Sequence, residues 1–313
     1  MQRFCLSGGG VSSYDARRLR GQSTIEYVLI IAVISLIVVF AGPAVAGAIR
    51  NQFSAVTNTV DGGTSGDAFI SAEEKAHREA MKTVATKDVK DWTLDEQKAA
   101  AEDIAKNGEA SKVYAKAKAA MNAGTTWSVK LTNDKTMTYR IIGINHDDLA
   151  DGSGKAGLTF EATNGALGMQ LMNATDTNDG GWEASELRGR LNSGDLWSLL
   201  PTELTGKVKA VTKMTDNKGG GSAGTPTATT DRVFLLSSTE VWGNIDSDGT
   251  QYEYYSAKGV TKSNCSGASA SCYHWLRSVY PSNSKDFRYV SSDGGWYYYT
   301  AASPDYVFPA FSF

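Results

Sequence analysis

The run Gly21-Gln22-Ser23-Thr24-Ile25-Glu26-Tyr27 stands directly before an apolar segment, and residues 28–49 of that segment include no charged side chain. About 20 apolar residues in a helix cross the hydrocarbon core of a bilayer. Arg17, Arg18 and Arg20 precede the run, and basic residues at one end of an apolar segment keep that end in the cytoplasm. The pattern therefore predicts a transmembrane helix with a cytoplasmic leader and an exported remainder.

Glu26 is a carboxylate at the edge of the apolar segment, where a charge is costly and usually has a role. Gly21, with Glu26 five residues later and Tyr27 behind it, resembles the class III signal of type IV prepilins, and the Glu-Tyr pair resembles the Flp (Tad) branch. The resemblance implies that a prepilin peptidase cuts between Gly21 and Gln22. It further implies that Glu26 neutralises the α-amino group of a neighbouring pilin subunit, since a buried charge is tolerated when it is paired.

The same resemblance implies a precursor in the cytoplasmic membrane and a mature protein in an extracellular filament or on the cell surface. Two other interpretations stay open. The segment is also consistent with a plain membrane anchor. Ala44-Val45-Ala46 is similar to a signal-peptidase site, although the apolar region of a secretory signal spans only ~7–15 residues.

Changes in composition divide the chain into five segments: a prepilin leader (1–21), a hydrophobic pilin helix (22–60), a Gly-rich linker (61–70), a helical spacer (71–124) and a globular domain (125–313). Ser71 begins the spacer as a predicted helix cap. Thr93 with Glu96 forms a predicted capping box for a second helix. These helices would serve as a stalk or pack on the globular domain.

The globular domain is predicted to consist of short strands and helices. A β-hairpin is expected over 127–144 with its turn at 133–135, and further strands at 158–160, 169–172, 207–215 and 232–236. Helices are expected at 182–192, 196–200 and from Ser238 onward, with a mobile Gly/Ser/Thr loop at 218–230. The expected fold class is α+β.

Several segments of this region resemble one domain family of undefined function, found in gut-bacterial and phage surface proteins. They are Gly181-Trp-Glu-Ala-Ser-Glu-Leu-Arg188, Arg190-Leu-Asn192, Val233-Phe-Leu-Leu-Ser237, Glu240-Val241, Trp275-Leu-Arg-Ser278 and Val307-Phe-Pro-Ala-Phe311. The fold of that family is similar to the C-type lectin fold of formylglycine-generating enzymes and of retroelement-diversified variable proteins. The resemblance implies that the pilin helix and helical spacer are followed by a C-type-lectin-like domain with two or more helices.

Phe308 departs from that family, which usually has an arginine at this position. Trp275, Leu276 and Phe311 are interpreted as core residues. Arg277 is expected to brace an inner carboxylate, either Glu186 or Glu240.

Of three cysteines, Cys5 lies in the leader, so Cys265 and Cys272 remain after processing. An even pair in an exported domain predicts a disulfide. A zinc site is disfavoured because zinc takes three or four ligands and His274 is the one additional candidate nearby. The copper-cysteine activity of formylglycine-generating enzymes is not carried over.

The sequence shows no catalytic constellation: it has three histidines, no Ser/His/Asp set and no Gly-rich phosphate loop after a strand. Asp246-Ser-Asp-Gly249 resembles the start of a calcium loop but lacks the later glutamate, so a turn is the better interpretation. No basic patch indicates nucleic acid. We therefore predict no enzyme, no cofactor, no metal site and no nucleic-acid partner.

Aromatic and small polar side chains crowd the C-terminal end, as they do in antibody-type binding surfaces. The predicted ligand-binding residues are Tyr280, Asn283, Phe287, Tyr289, Trp296, Tyr297, Tyr298, Tyr299 and Tyr306. Successive strand residues point to opposite faces, which predicts that Tyr297 and Tyr299 are exposed while Trp296 and Tyr298 are core. The alternative is a half-buried sheet with solvated tyrosine rims.

The sequence thus predicts a pilin-like subunit that displays an adhesin or ligand-binding domain for an unknown protein or glycan. Two alternatives stay open: a structural pilin whose domain only shields the filament, and a membrane-anchored enzyme of the formylglycine-generating type.

Overall fold

A computed structural model describes residues 71–313 of the chain. The predicted leader, the cleavage site after Gly21, the role of Glu26 and the Gly-rich linker all lie outside the described residues.

The predicted fold class is wrong in its membrane-spanning part. Among the described residues no helix is long and apolar enough to cross a membrane. The longest described helix, α1 (Ala72–Thr86), has 15 residues and is rich in charged side chains, whereas a span needs about 20 mostly apolar residues. The segment 22–60, on which the spanning helix was predicted, lies outside the described residues. The described fold is α+β, with sheets and several helices.

Three helices form the segment that the sequence marked as a spacer: α1, α2 (Leu94–Asn107) and α3 (Tyr114–Ala123). Both predicted caps are confirmed. Ser71 Oγ accepts a hydrogen bond from Glu74 N at 3.1 Å. Thr93 and Glu96 form the reciprocal capping box, with Thr93 N donating to Glu96 Oε2 at 2.7 Å.

The three helices pack on the globular domain rather than standing apart from it. Val84 and Ile104 belong to the same hydrophobic core as the strands, and residues 71–313 lie in one compact unit. Tyr139 of the domain donates a hydrogen bond from its hydroxyl to Gln97 Oε1 at 3.1 Å. A Cβ at Gly157 would lie 1.8 Å from Ala101 O, so α2 approaches the sheet backbone more closely than any side chain would permit.

The first sheet has five strands in the order β1–β2–β3–β12–β7, which cover Thr126–Lys130, Thr136–Ile144, Leu158–Ala162, Ala310–Ser312 and Val233–Phe234. The hairpin of β1 and β2 confirms the prediction. Asp134 in its turn has φ 65°, a left-handed conformation that aspartate tolerates better than most residues. Phe160 and Phe311 stack across β3 and β12 with ring centroids 5.5 Å apart, and both are fully buried.

The second sheet has the order β10–β9–β8–β11–β4, with strands at Trp296–Thr300, Asp286–Val290, His274–Val279, Asp305–Tyr306 and Met169–Gln170. Trp275 and Leu276 of β8 are buried, as predicted. A two-stranded sheet pairs β5 (Val211–Thr215) with β6 (Thr227–Asp231). The predicted loop at 218–230 is therefore wrong over its last residues, because the threonine-rich end pairs as a strand.

Six short helices connect the strands: α4 (Gly181–Ala184), α5 (Glu186–Asn192), α6 (Asp195–Leu199), α7 (Thr202–Thr205), α8 (Ser238–Trp242) and α9 (Glu253–Ala257). The single helix predicted at 182–192 is divided at Ser185. Ser185 Oγ accepts from Arg188 N at 3.2 Å and so caps α5. A serine at a helix start satisfies a backbone donor that would otherwise lack a partner.

Buried charges join these elements. Arg277 of β8 pairs with Glu240 of α8, with Nη2 to Oε1 at 2.9 Å, which confirms the predicted brace and selects Glu240 over Glu186. Lys213 of β5 contacts Glu240 Oε1 and Asp147 Oδ1, each at 2.6 Å. Burial would raise the pKa of Glu240, but Arg277 and Lys213 outweigh it and hold that pKa below its usual value. The carboxylate is therefore ionised and paired at neutral pH.

Candidate functional site

The candidate site lies on β10, the edge strand of the second sheet. Three consecutive side chains of β10 are exposed: Tyr297 at 51%, Tyr298 at 48% and Tyr299 at 45% of their surface. Within the described part of the chain, β10 has one strand neighbour, β9. Successive side chains of a strand point to opposite faces, and all three tyrosines reach solvent, so both faces of β10 are partly open.

Five tyrosines in successive ring contact form a row that we call the tyrosine stripe: Tyr297, Tyr299, Tyr289, Tyr273 and Tyr306. Tyr289 lies 5.9 Å from Tyr297 and 6.3 Å from Tyr299, measured between ring centroids. Tyr273 continues the row, with its centroid 6.4 Å from Tyr289 and 6.1 Å from Tyr306. Since neighbouring strands lie ~4.8 Å apart, a row that reaches from β10 to β11 is about 14 Å long.

A further side chain contacts the tyrosine stripe at each end, Trp275 at one and Met169 at the other. Trp275 is buried and stacks with Tyr299 at 6.2 Å. Its Nε1 donates to Gln170 O at 2.8 Å, which fixes the ring. At the far end Met169, opposite Tyr306 in the β4–β11 pair, is 39% exposed and extends the apolar surface.

A buried carboxyl group adjoins the stripe. Asp305 is 1% exposed, its Oδ1 accepts from Tyr306 N at 2.6 Å, and its Oδ2 has no partner. Burial raises the pKa of Asp305 to about 7, although the Tyr306 hydrogen bond opposes the shift. Burial, followed by the charge of Asp305, raises the pKa of Tyr289. The phenol group of Tyr289 is therefore neutral at neutral pH.

The opposite face of β10 has a different character. Tyr298 stacks on Tyr280 with ring centroids 4.0 Å apart. The Arg288 guanidinium lies 5.1 Å from the ring of Tyr280 and 5.5 Å from the ring of Trp296. Lys262 Nζ lies 4.6 Å from the Trp296 ring centroid. This face combines aromatic rings with cations, whereas the tyrosine stripe carries no charged side chain.

The structure brings most of the predicted binding residues together but corrects three points. Phe287 is fully buried and belongs to the core, so its assignment to the binding surface is wrong. Asn283 lies in the turn between β8 and β9, and its Oδ1 accepts from Lys285 N at 2.9 Å, so its side chain bonds within the turn and is not part of the tyrosine stripe. The prediction that Trp296 and Tyr298 form a core pair is also wrong, because Trp296 is half-buried and Tyr298 is exposed at the uncovered edge.

Sequence reasoning missed Tyr273, which is 43% exposed and connects the two halves of the stripe. Tyr273 stands two residues before Trp275, which pairs with Tyr289. Tyr273 precedes β8, so side-chain alternation along that strand did not identify it, and its ring contacts with Tyr289 and Tyr306 are visible only in the fold.

The predicted disulfide is not formed, and Cys265 and Cys272 are free thiols. Cys265 precedes a short 3₁₀ turn and directs its Sγ to Lys262 O at 3.4 Å. Cys272 Sγ accepts from Ser271 Oγ at 3.9 Å. Burial raises the pKa of both thiols, as do Asp293 beside Cys265 and Asp305 beside Cys272. Because each sulfur is engaged in its own surroundings, the short sequence spacing does not bring the two together.

The described residues contain no group of three or more His, Cys, Asp or Glu side chains that could hold a metal ion. In the segment 246–249 the two aspartates instead make hydrogen bonds to other side chains of the protein. Asp246 pairs with Arg288, with Nε to Oδ2 at 3.0 Å, and Asp248 accepts from Thr239 Oγ1 at 3.0 Å. Burial raises the pKa of Asp248 to about 6.

Phe308, which replaces the arginine expected from the resemblance, is buried and stacks on His274 at 4.0 Å with the ring planes 4° apart. Ring stacking on His274 holds the Phe308 side chain in place.

Residues 159–313 match the model of a protein family described as a domain of unknown function (DUF6273). The matched region starts within β3 and includes every residue of the tyrosine stripe. No curated protein and no solved structure matches the chain.

Proposed function

We propose that residues 126–313 form a ligand-binding domain that a pilin-like subunit displays on a filament or cell surface, and that the tyrosine stripe is its binding surface. One observation supports this most: five tyrosines in successive ring contact extend from β10 through β9 to β11, and Tyr297, Tyr299 and Tyr273 are each close to half exposed. A single exposed aromatic residue needs no explanation, whereas a contiguous exposed apolar surface usually marks an interaction site.

The chemistry of the stripe suits an extended glycan or a protein surface. Tyrosine combines a rigid apolar ring with a hydroxyl that donates and accepts hydrogen bonds, and it loses little side-chain entropy on binding. Phenol rings pack against the apolar faces of sugars or peptides while their hydroxyls bind polar groups at the rim. The uncharged stripe favours ligands recognised by shape and hydrogen bonds over highly charged polymers.

The experiment is binding of the purified full chain to a glycan array and to intact cells, with wild type compared with the double variant Tyr297→Ser and Tyr299→Ser. We expect the variant to lose attachment by about tenfold or more, because exposed aromatic anchors dominate such surfaces. Tyr298→Ser is the matched control, since it removes an adjacent tyrosine from the other face. Full attachment by the double variant would favour the structural-pilin alternative.

The pilin part of the proposal depends on Gly21, Gln22, Glu26 and Tyr27, which lie outside the described residues. Prepilin peptidase and other pilin subunits are the partners that follow from it. Mass spectrometry of the mature protein tests it: Gln22 is expected at the N-terminus. A mature chain that starts near Gly47, or one that retains Met1, would contradict this part and leave the binding surface as a separate question.

A further inference from the structure

A second candidate site is a cavity whose lining includes no residue of the tyrosine stripe. It has a volume of about 300 Å³ and lies under the loop 268–271, between Arg140 of β2 and His274 of β8. Small-molecule sites begin at about 300 Å³, so the cavity is large enough for one small organic molecule. Its wall also includes Phe308 and the exposed residue Ser292.

Arg140 is the one charged side chain among the described residues that line this cavity, apart from the titratable His274. Its Nη2 donates to Glu161 Oε2 at 3.0 Å and lies 3.4 Å from the hydroxyl of Tyr255. Its Nε is buried without a partner, and no described residue accepts from Nη1. The donor open to a ligand acceptor is Nη1, since Nε is fully buried, and a hydrogen bond from Nη1 to an anion would be charge-assisted.

The guanidinium of Arg140 is held in place before any ligand binds. It lies over the ring of Tyr254, 4.1 Å from the centroid. Glu161 sits behind it, 1% exposed, and also accepts from the Tyr255 hydroxyl at 2.7 Å. Burial raises the pKa of Glu161 despite the opposing effect of Arg140. The cavity therefore presents an ordered cation with spare donors.

The other wall supplies an acceptor and a flat apolar surface. Burial lowers the pKa of His274 to about 4, so its imidazole is neutral at pH 7. His274 Nδ1 lies 3.4 Å from Cys272 O, a contact that places the proton on Nδ1 and leaves Nε2 as an acceptor. The ring lies flat against Phe308.

The loop supplies hydroxyl groups. Ser269, Ser271 and Ser292 line the cavity. Ala270 N donates to Ser292 O at 3.2 Å, which ties the loop to the turn between β9 and β10. The hydroxyls therefore stand on a loop with a defined position.

We propose that this cavity binds a small hydroxy acid: Arg140 receives the carboxylate, His274 Nε2 accepts from a ligand hydroxyl, and the serine hydroxyls complete the set. The same chemistry occurs in a free hydroxy acid and in a uronate residue that ends a glycan. Arginine is the side chain that best matches a carboxylate, because its planar donors meet both oxygens. The proposal does not depend on the tyrosine stripe.

The test is isothermal titration calorimetry of the full chain with D-glucuronate, with D-glucose and with a glucuronate-terminated disaccharide. D-Glucose is the matched neutral probe, because it keeps the ring and lacks the carboxylate. We expect D-glucuronate to bind about tenfold or more tighter than glucose, since glucose cannot use the arginine. Tighter binding of the disaccharide would identify a glycan source, and tighter binding of the free acid would identify a small metabolite.

Three variants test the location and the chemistry of the site. Ser269→Trp fills the cavity without removing a hydrogen bond of the Ser269 side chain and should abolish glucuronate binding. Ser263→Trp is the control, because Ser263 is exposed and does not line the cavity, and this variant should bind as wild type does. Arg140→Lys should reduce glucuronate binding and leave glucose unchanged. Equal affinity for glucuronate and glucose, no binding of either, or unchanged binding by Ser269→Trp would overturn the proposal.

Discussion

Tyr298 of the edge strand lies flat on Tyr280, with ring centroids 4.0 Å apart and planes 2° from parallel. This contact assigns Tyr298 to the face opposite the tyrosine stripe, although all three tyrosines of β10 are exposed to a similar extent. The three consecutive tyrosines therefore have two roles: Tyr297 and Tyr299 extend the stripe, and Tyr298 packs on the end of β8.

The stack predicts a stability effect without a binding effect. Tyr298→Ala should lower the free energy of unfolding by about 0.5–1.5 kcal/mol, the usual contribution of an aromatic pair. Tyr298→Phe keeps the stack and removes only the hydroxyl, so it should unfold at nearly the wild-type urea concentration. Equal destabilisation by both variants would show that the hydroxyl, rather than the ring contact, is what matters.

The buried pair of Arg277 and Glu240 predicts a much larger effect. Arg277→Met would leave Glu240 without its bidentate partner in the interior, and removing one member of a buried ion pair costs about 3–5 kcal/mol. Arg190→Met is the control, because Arg190 pairs with Asp195 at the surface with Nη2 to Oδ2 at 2.8 Å. A surface pair is worth up to ~1 kcal/mol. Similar urea midpoints for the two variants would contradict the assigned role of Arg277.

The raised pKa of Asp305 predicts a pH dependence of stability. Between the ordinary value of 3.8 and the folded value of about 7, the folded protein keeps a proton that the unfolded chain has released. A rise in pH through this window therefore lowers the free energy of unfolding. Asp305→Asn removes the effect while keeping an oxygen for Tyr306 N.

The measurement is the difference in unfolding free energy between wild type and Asp305→Asn as a function of pH. His274 acts in the opposite direction, because its lowered pKa of about 4 makes the fold less stable as pH falls. Since His274 is present in both proteins, its contribution cancels in the difference. A difference that does not change with pH would show that Asp305 titrates normally.

The free thiols predict the result of peptide mapping. Alkylation of the unreduced, unfolded protein should label both Cys265 and Cys272, because their sulfurs contact different groups in the fold. A pair of peptides linked through Cys265 and Cys272 would contradict this prediction and support the disulfide that the sequence predicted.

Local patterns predicted local structure well. The Ser71 cap and the Thr93–Glu96 box depend on residues three apart, and the hairpin turn at 133–135 depends on neighbours, so each was readable from the sequence. The sequence left two possible carboxylate partners for Arg277, Glu186 and Glu240, and only the fold selects Glu240. Sheet order is a long-range property. The edge position of β10, which exposes Tyr298, could not be derived from the alternation of side chains alone.

In the candidate site, too, local sequence predicted some residues and long-range pairing decided the others. Most stripe residues were predicted because tyrosines crowd one segment of the chain. Tyr273 was missed because it precedes the segment, and Phe287 was included because composition does not distinguish a core phenylalanine from an exposed one. Only the pairing of β9 with β8 and β10 shows that Phe287 is buried while Tyr289 is accessible.

Tyr273→Ser tests the central claim most directly, because Tyr273 joins the two halves of the stripe and was identified by the structure alone. The measurement is binding of the full chain to whichever glycan or cell wild type attaches to, with Tyr280→Ser as the control on the opposite face. If the stripe is one continuous binding surface, Tyr273→Ser should weaken attachment by about tenfold, and Tyr280→Ser should not. Unchanged attachment by a folded Tyr273→Ser protein would contradict the proposed binding surface.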